Sequence, residues 1–104
     1  MSRNAPADLL VCYDIREPRR LVRIHRCMRR WGMPLQYSVF YCRLKKHERQ
    51  RLENELRDLM DERVDDIRIY GLKSYAQIQF MGKKPLPDGL MVLGSSVLER
   101  IGER

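Results

Sequence analysis

The sequence is short of the features that usually announce a function. Of 104 residues only Cys12, Cys27 and Cys42 are cysteines, and they fit no C-x-x-C pair and no Cys/His zinc spacing. An odd, scattered set of this kind reads as buried thiols in a reducing compartment rather than as a disulfide framework. No apolar stretch approaches the ~20 residues of a membrane span, and Met1 to Ala7 is too short and polar for a signal peptide. These absences predict a soluble, cytoplasmic protein with no membrane partner. Gly32, Gly71, Gly82 and Gly94 match neither a P-loop nor a dinucleotide fingerprint, and His25 and His47 lack the partners of a zinc-hydrolase motif. An RNA-recognition signature is missing too, so Tyr37, Phe40 and Tyr41 read as core or interface residues rather than as base-stacking platforms. There is no internal repeat and no low-complexity tract.

The most telling shortage is of acid. Between Arg16 and Arg30 lie seven arginines (Arg16, Arg19, Arg20, Arg23, Arg26, Arg29 and Arg30) and one acid, Glu17, a local balance of +6 within a whole-chain charge of +7. A charged face that is merely solvated normally mixes signs, so this asymmetry points to an anionic partner, nucleic acid first. The stretch from Lys45 to Arg63 supplies the comparison: six basic and six acidic side chains leave it neutral.

A chain of this length is one domain able to bury roughly two-thirds of its unfolded surface. Asp8 to Asp14 reads as a strand whose Leu-Leu-Val-Cys-Tyr core is nearly continuous in apolar character. Pro18 suits the first turn of a helix and Gly32 its end, giving a helix from Pro18 to Trp31. On that helix Leu21, Ile24, Met28 and Trp31 share a sector about 80° wide, while Arg19, Arg23, Arg26 and Arg30 cluster on the opposite side. Met33 to Leu44 is β-rich but too long for one strand, so a bulge or bend near Ser38 is expected. A second amphipathic helix spans Lys46 to Arg63, with Leu52, Leu56, Leu59 and Met60 on one face. Asp65 to Leu72 and Tyr75 to Phe80 alternate as strands, the latter closed by Gly82 and available to pair with a second subunit. After a Pro/Gly loop, Leu90 to Leu93 forms a short strand and Ser95 to Ile101 a frayed helix. The order predicts an α+β, ferredoxin-like βαββαβ sandwich with an additional C-terminal strand, with residues 1–82 as the domain and 83–104 as an extension that docks on a partner or second subunit.

Asp14 is the first candidate for chemistry, because it stands where an apolar strand leaves the core. Two roles fit it: a turn or helix-cap residue, or a metal ligand. One carboxylate makes a poor Mg²⁺ site, whereas a twofold dimer presenting two copies of Asp14 makes a better one. Arg16, Arg19 and Arg23 could then hold phosphate oxygens through their planar guanidinium forks.

Several pieces of the chain, in this order, resemble the CRISPR-associated protein two family. They are Tyr13-Asp14-Ile15, the Pro18-Arg19-Arg20-Leu21 start of the first helix with Arg23-Ile24, Gly32, the run Gln36-Tyr37-Ser38-Val39-Phe40-Tyr41-Cys42-Arg43-Leu44, and Ile67-Arg68-Ile69-Tyr70-Gly71-Leu72. The resemblance implies a ferredoxin-like homodimer in which the two Asp14 side chains share one divalent metal, Mg²⁺. It implies a role in CRISPR spacer acquisition, as a metal-dependent endonuclease acting on RNA or DNA, as a scaffold that holds duplex DNA for an integrase subunit, or both. By motif, Tyr13 borders the metal aspartate, Phe40 lies near the dimer cleft, and Arg19, Arg20 and Arg23 contact phosphate, with Arg16, Arg26 and Arg30 extending that surface. The family often has aspartate where this chain has Glu17, which bears on how the first loop is capped, and nothing in Ala76 to Arg104 matches. With the resemblance set aside, the alternative is a non-catalytic, basic ferredoxin-like nucleic-acid-binding regulator.

Overall fold

The computed structural model describes residues 5–81, so the extension 83–104 and the strand and helix expected within it lie outside the described residues, as does Gly82. The elements are β1 (Ala7–Asp14), α1 (Pro18–Trp31), β2 (Met33–Gln36), β3 (Val39–Leu44), α2 (Lys46–Leu59) and β4 (Asp66–Leu72), followed by a 3-10 turn at Tyr75–Gln77. The four strands form one antiparallel sheet in the order β2-β3-β1-β4, with both helices on one face. This is the α+β, ferredoxin-like layering expected from the alternation of strands and amphipathic helices.

The core follows from the twofold period of the strands meeting the helical stripes. Leu9, Val11 and Tyr13 of β1 and Phe40, Cys42 and Leu44 of β3 point to the helix side, where Ile24, Cys27 and Met28 of α1 and Leu52 and Leu56 of α2 cover them. Ile67 and Ile69 of β4 pack at the margin, opposite Tyr13 and Val11. The other sheet face carries Leu10, Cys12 and Val39, which are half-buried, and Tyr70, which is exposed. On that face Tyr75 lies edge-on to Tyr41, with centroids 4.5 Å apart, and the Tyr41 hydroxyl donates to the Asp8 carboxylate.

One boundary falls where expected and two depart from expectation, each for a local physical reason. The β-rich run from Met33 splits at a two-residue turn, Tyr37-Ser38, with an irregularity between Pro34 and Gln36, which is the bend foreseen near Ser38. Helix α2 ends at Leu59 rather than Arg63, because the following residues close a turn in which Asp65 N–H bonds the Asp61 carbonyl at 2.8 Å. Tyr75 to Phe80 is no strand: Ser74 Oγ accepts the Ala76 N–H at 3.2 Å and the Gln77 side chain accepts the N–H groups of Lys73 and Ser74. A strand needs a neighbour to satisfy its backbone, and this segment instead turns away from β4 to seat Tyr75 on Tyr41.

Gly32 marks a close approach that ties α1 to the sheet. It is extended, its N–H bonds the Met28 carbonyl at 2.9 Å, and a β-carbon there would overlap the Tyr41 carbonyl and the Cys42 sulfur. Backbone and a packed core atom cannot both yield. Gly32→Ala is therefore expected to destabilise by about 2 kcal/mol, a fall in Tm of roughly 10 °C. Thermal denaturation followed by circular dichroism checks this.

Candidate nucleic-acid interface and metal site

Asp14 is the last residue of β1, exposed, and on the sheet face away from the helices. It is not the cap of α1. That position belongs to Glu17, whose two carboxylate oxygens accept the N–H groups of Arg19 and Arg20, each at 2.9 Å. These two bonds hold the Glu17 carboxyl below its usual range and satisfy two of the donors left open at a helix start. Glu17, the departure from the family pattern, therefore takes the capping role and leaves the Asp14 carboxylate available.

Directly across the strand pair, Asp14 stands opposite Asp66. Two carboxylates at opposed positions repel, and Arg68 Nε, 2.9 Å from Asp66, offsets part of that charge. The donors here are hard carboxylate oxygens, the type Mg²⁺ takes, so the chemistry of the residues fits such an ion. Among the described residues, however, no group of three or more Asp, Glu, His or Cys side chains converges to hold a metal.

Asp14 is held by its pairing with β4, and two residues beyond it the chain is anchored by a buried carboxylate that the sequence did not single out. The Asp65 side chain is fully buried and accepts four hydrogen bonds. Arg20 supplies a bidentate fork, with Nε at 2.8 Å and a terminal nitrogen at 3.2 Å. The backbone N–H groups of Arg16 and Asp61 complete the set at 2.9 Å each. The Arg20 guanidinium first, then the two backbone donors against the cost of burial, holds the Asp65 carboxyl well below the usual carboxylate range. This clamp fastens the β1–α1 loop, which carries Arg16 and begins directly after Asp14, and the first turn of α1 to the α2–β4 loop.

The arginines consequently separate into two groups. Arg16, Arg19, Arg23 and Arg26 are exposed and form no ion pair among the described residues. Arg20, expected among the phosphate contacts, is instead committed to Asp65. Arg30 is exposed but binds Glu55 at 2.9 Å, a carboxylate that also receives the Cys27 thiol at 3.0 Å and the Trp31 indole N–H at 3.3 Å. This knot joins α1 to α2. Burial first, then the Glu55 bond, pushes the Cys27 thiol up to about 12, and burial does the same for Cys42. Both are inert core thiols, as expected, whereas Cys12 is only half-buried.

Tyr13 and Phe40, expected at a dimer cleft, are placed under the helices instead. Phe40 is fully buried, and the two rings stack with centroids 6.2 Å apart. The strand period explains this, since Tyr13 points to the opposite face from Asp14. The Tyr13 hydroxyl lies 2.9 Å from His25 Nδ1. Burial, with a smaller contribution from Tyr37, pushes the Tyr13 phenol up to about 12, so it stays protonated and donates to Nδ1. Burial and then the charge of Arg29 lower the His25 pKa, which favours the neutral ring. His25 in turn stacks on Tyr37, centroids 6.0 Å apart, and meets Phe40 edge-on at 5.4 Å. Tyr37, expected in a core or an interface, is 71% exposed and so is no core residue.

Comparison with known proteins places the chain in a family. Residues 8–78 match the family model described as CRISPR associated protein Cas2. The chain belongs to the Cas2 family. It is 37% identical over 94 residues to a CRISPR-associated endoribonuclease Cas2 of Nitrosomonas europaea, covering 90% of each chain. Identity to a CRISPR-associated endoribonuclease Cas2 of Thermodesulfovibrio yellowstonii is 42% over 84 residues, covering 80% of this chain and 92% of the relative. The crystal structure of Streptococcus pyogenes Cas2 superposes with a TM-score of 0.66 at 27% identity, covering 72% of this chain and 99% of that one. The Cas2 match spans β1 through β4 and therefore includes Asp14, the Asp65 clamp and all of α1. No helix among the described residues is long and apolar enough to cross a membrane.

Proposed function

We propose that this chain is a homodimeric, Mg²⁺-dependent endonuclease of CRISPR spacer acquisition, acting in the cytoplasm on RNA or DNA phosphodiesters beside an integrase subunit. The observation that carries the reading is the exposed Asp14 carboxylate at the end of β1, relieved of capping by Glu17 and flanked by exposed Arg16 and Arg19. Relatives named as endoribonucleases over most of this length support it. The half-buried Leu10, Cys12 and Val39 on the uncovered sheet face offer a second copy apolar surface to bury, and the two copies of Asp14 would hold one divalent ion. A bound Mg²⁺ supplies a water of lowered pKa and polarises the phosphodiester. The protein's part is to place the carboxylate through its pairing with β4 and to hold phosphate oxygens with Arg16 and Arg19, which fixes the scissile group's orientation.

The second reading is a scaffold. Arg19, Arg23 and Arg26 run along α1 away from Asp14, a surface that holds duplex DNA through phosphates without needing the carboxylate. One experiment separates the two. Labelled single- and double-stranded DNA and RNA are incubated with pure protein in Mg²⁺ or EDTA, for the natural chain and Asp14→Ala. Hydrolysis is expected only in Mg²⁺, with a loss of about 100-fold or more in Asp14→Ala and unchanged duplex binding. Cleavage by Asp14→Ala at the native rate removes the metal assignment, and binding without cleavage by the natural chain leaves the scaffold.

A further inference from the structure

We infer that Tyr37, laid on His25 at the tip of the β2–β3 hairpin, is a stacking platform for one unpaired base of a single-stranded nucleic acid. The inference deepens the nucleic-acid reading above and rests on it. Tyr37 is 71% exposed, yet its ring is not loose: it lies nearly parallel to the His25 imidazole, with an interplanar angle of 22° and centroids 6.0 Å apart. That is the offset-stacked geometry aromatic pairs prefer.

The support beneath it is itself anchored. His25 receives the Tyr13 hydroxyl at 2.9 Å and meets the fully buried Phe40 edge-on at 5.4 Å. Behind the hairpin tip, the Ser38 carbonyl accepts the Tyr13 N–H at 3.1 Å, tying the turn to the end of β1. His25 lies offset along one side of the ring, and at 71% exposure most of the ring stays open to solvent. A rigid aromatic with one open face, on a well-packed base, is what a nucleobase needs for stacking.

The surroundings select the occupant. Arg26 and Arg29, both exposed, lie one and four positions beyond His25 on α1, so the platform borders the cationic helix surface. A backbone held there by its phosphates passes within the same surface as Tyr37. In a duplex the π-faces are already stacked on one another, so the partner must be an unpaired base, in a single strand or at a frayed end. Tyr37 sits on the helix side of the sheet through its contact with His25, whereas Leu10, Cys12 and Val39 line the other face. Dimerisation through that uncovered face therefore leaves the platform accessible.

The test measures binding by the natural chain, Tyr37→Ala, Tyr37→Phe and the Arg19/Arg23/Arg26 triple charge reversal. The probes are oligo-dT and oligo-U of about ten nucleotides and a blunt DNA duplex, in EDTA so that nothing is cleaved. Tyr37→Ala is expected to weaken single-strand binding about tenfold and to leave duplex binding unchanged, while Tyr37→Phe retains the native affinity. The oligo-dT and oligo-U arms tell whether the base comes from DNA or RNA. A 2-aminopurine placed in the oligomer is expected to be quenched by the natural chain and not by Tyr37→Ala. Unchanged single-strand affinity and quenching in Tyr37→Ala overturn the platform, as does an equal loss on strand and duplex. If the arginine reversal also leaves every probe bound, the nucleic-acid reading itself has failed, and that result is distinct from loss of the platform alone.

Discussion

Asp65→Ala is expected to lower stability by about 3 kcal/mol, which for a domain of this size is a fall in Tm of roughly 15 °C. The reasoning is that of a buried ion pair broken from one side. Removing the carboxylate leaves the Arg20 guanidinium without its counter-charge and strands the N–H groups of Arg16 and Asp61. Because the Arg20 side chain keeps 22% of its exposure, water can recover some of the loss, which places the estimate at the low end for buried pairs. The same carboxylate gives the protein an acid limit. Its folded pKa is depressed, so its contribution is fully present above the unfolded carboxylate value near ~3.9 and disappears as pH falls below that value toward the folded one. Melting curves across pH should therefore show a wide gap between the natural chain and Asp65→Ala at neutral pH that closes in acid. A gap independent of pH would mean that the clamp is not ionic. Nuclease activity is expected to fall with stability, since the clamp holds the loop that follows Asp14 and carries Arg16.

The second large effect is on binding. Reversing Arg19, Arg23 and Arg26 to glutamate is expected to weaken duplex binding on the order of 100-fold at about 50 mM salt, and to flatten the slope of log affinity against log salt by about 2.7, or ~0.9 per lost phosphate contact. These residues are exposed on one helix and paired with no carboxylate among the described residues, so Tm should change little. Arg20 is left out deliberately, because its removal breaks the clamp and would confuse unfolding with lost affinity. A native salt slope in the triple variant, measured by fluorescence anisotropy, would remove α1 from the phosphate-binding surface.

Much of the fold was legible because its signals are local. Pro18 and Gly32 bounded α1 correctly, since a missing N–H and a side-chain-free close approach act within one turn of the helix. The split of the β-rich run at Tyr37-Ser38 followed from strand length alone. Where a side chain's bonds override the hydrophobic pattern, the sequence misled. Helix α2 stops short because Asp65 bonds back to Asp61 while also gripping Arg20, and Tyr75 abandons its alternating pattern for a ring contact with Tyr41.

The candidate site divides in the same way. Charge asymmetry, the strand-end Asp14 and the run of motifs that places the chain in the Cas2 family are all properties of residue order, and the sequence alone determined them. Tertiary structure decided which arginine is already taken, that Glu17 rather than Asp14 caps α1, and that Tyr37 lies open on His25. Periodicity assigns a side chain to one side of its own element. It carries no information about what faces that side, and the partner of Arg20 stands 45 residues away along the chain.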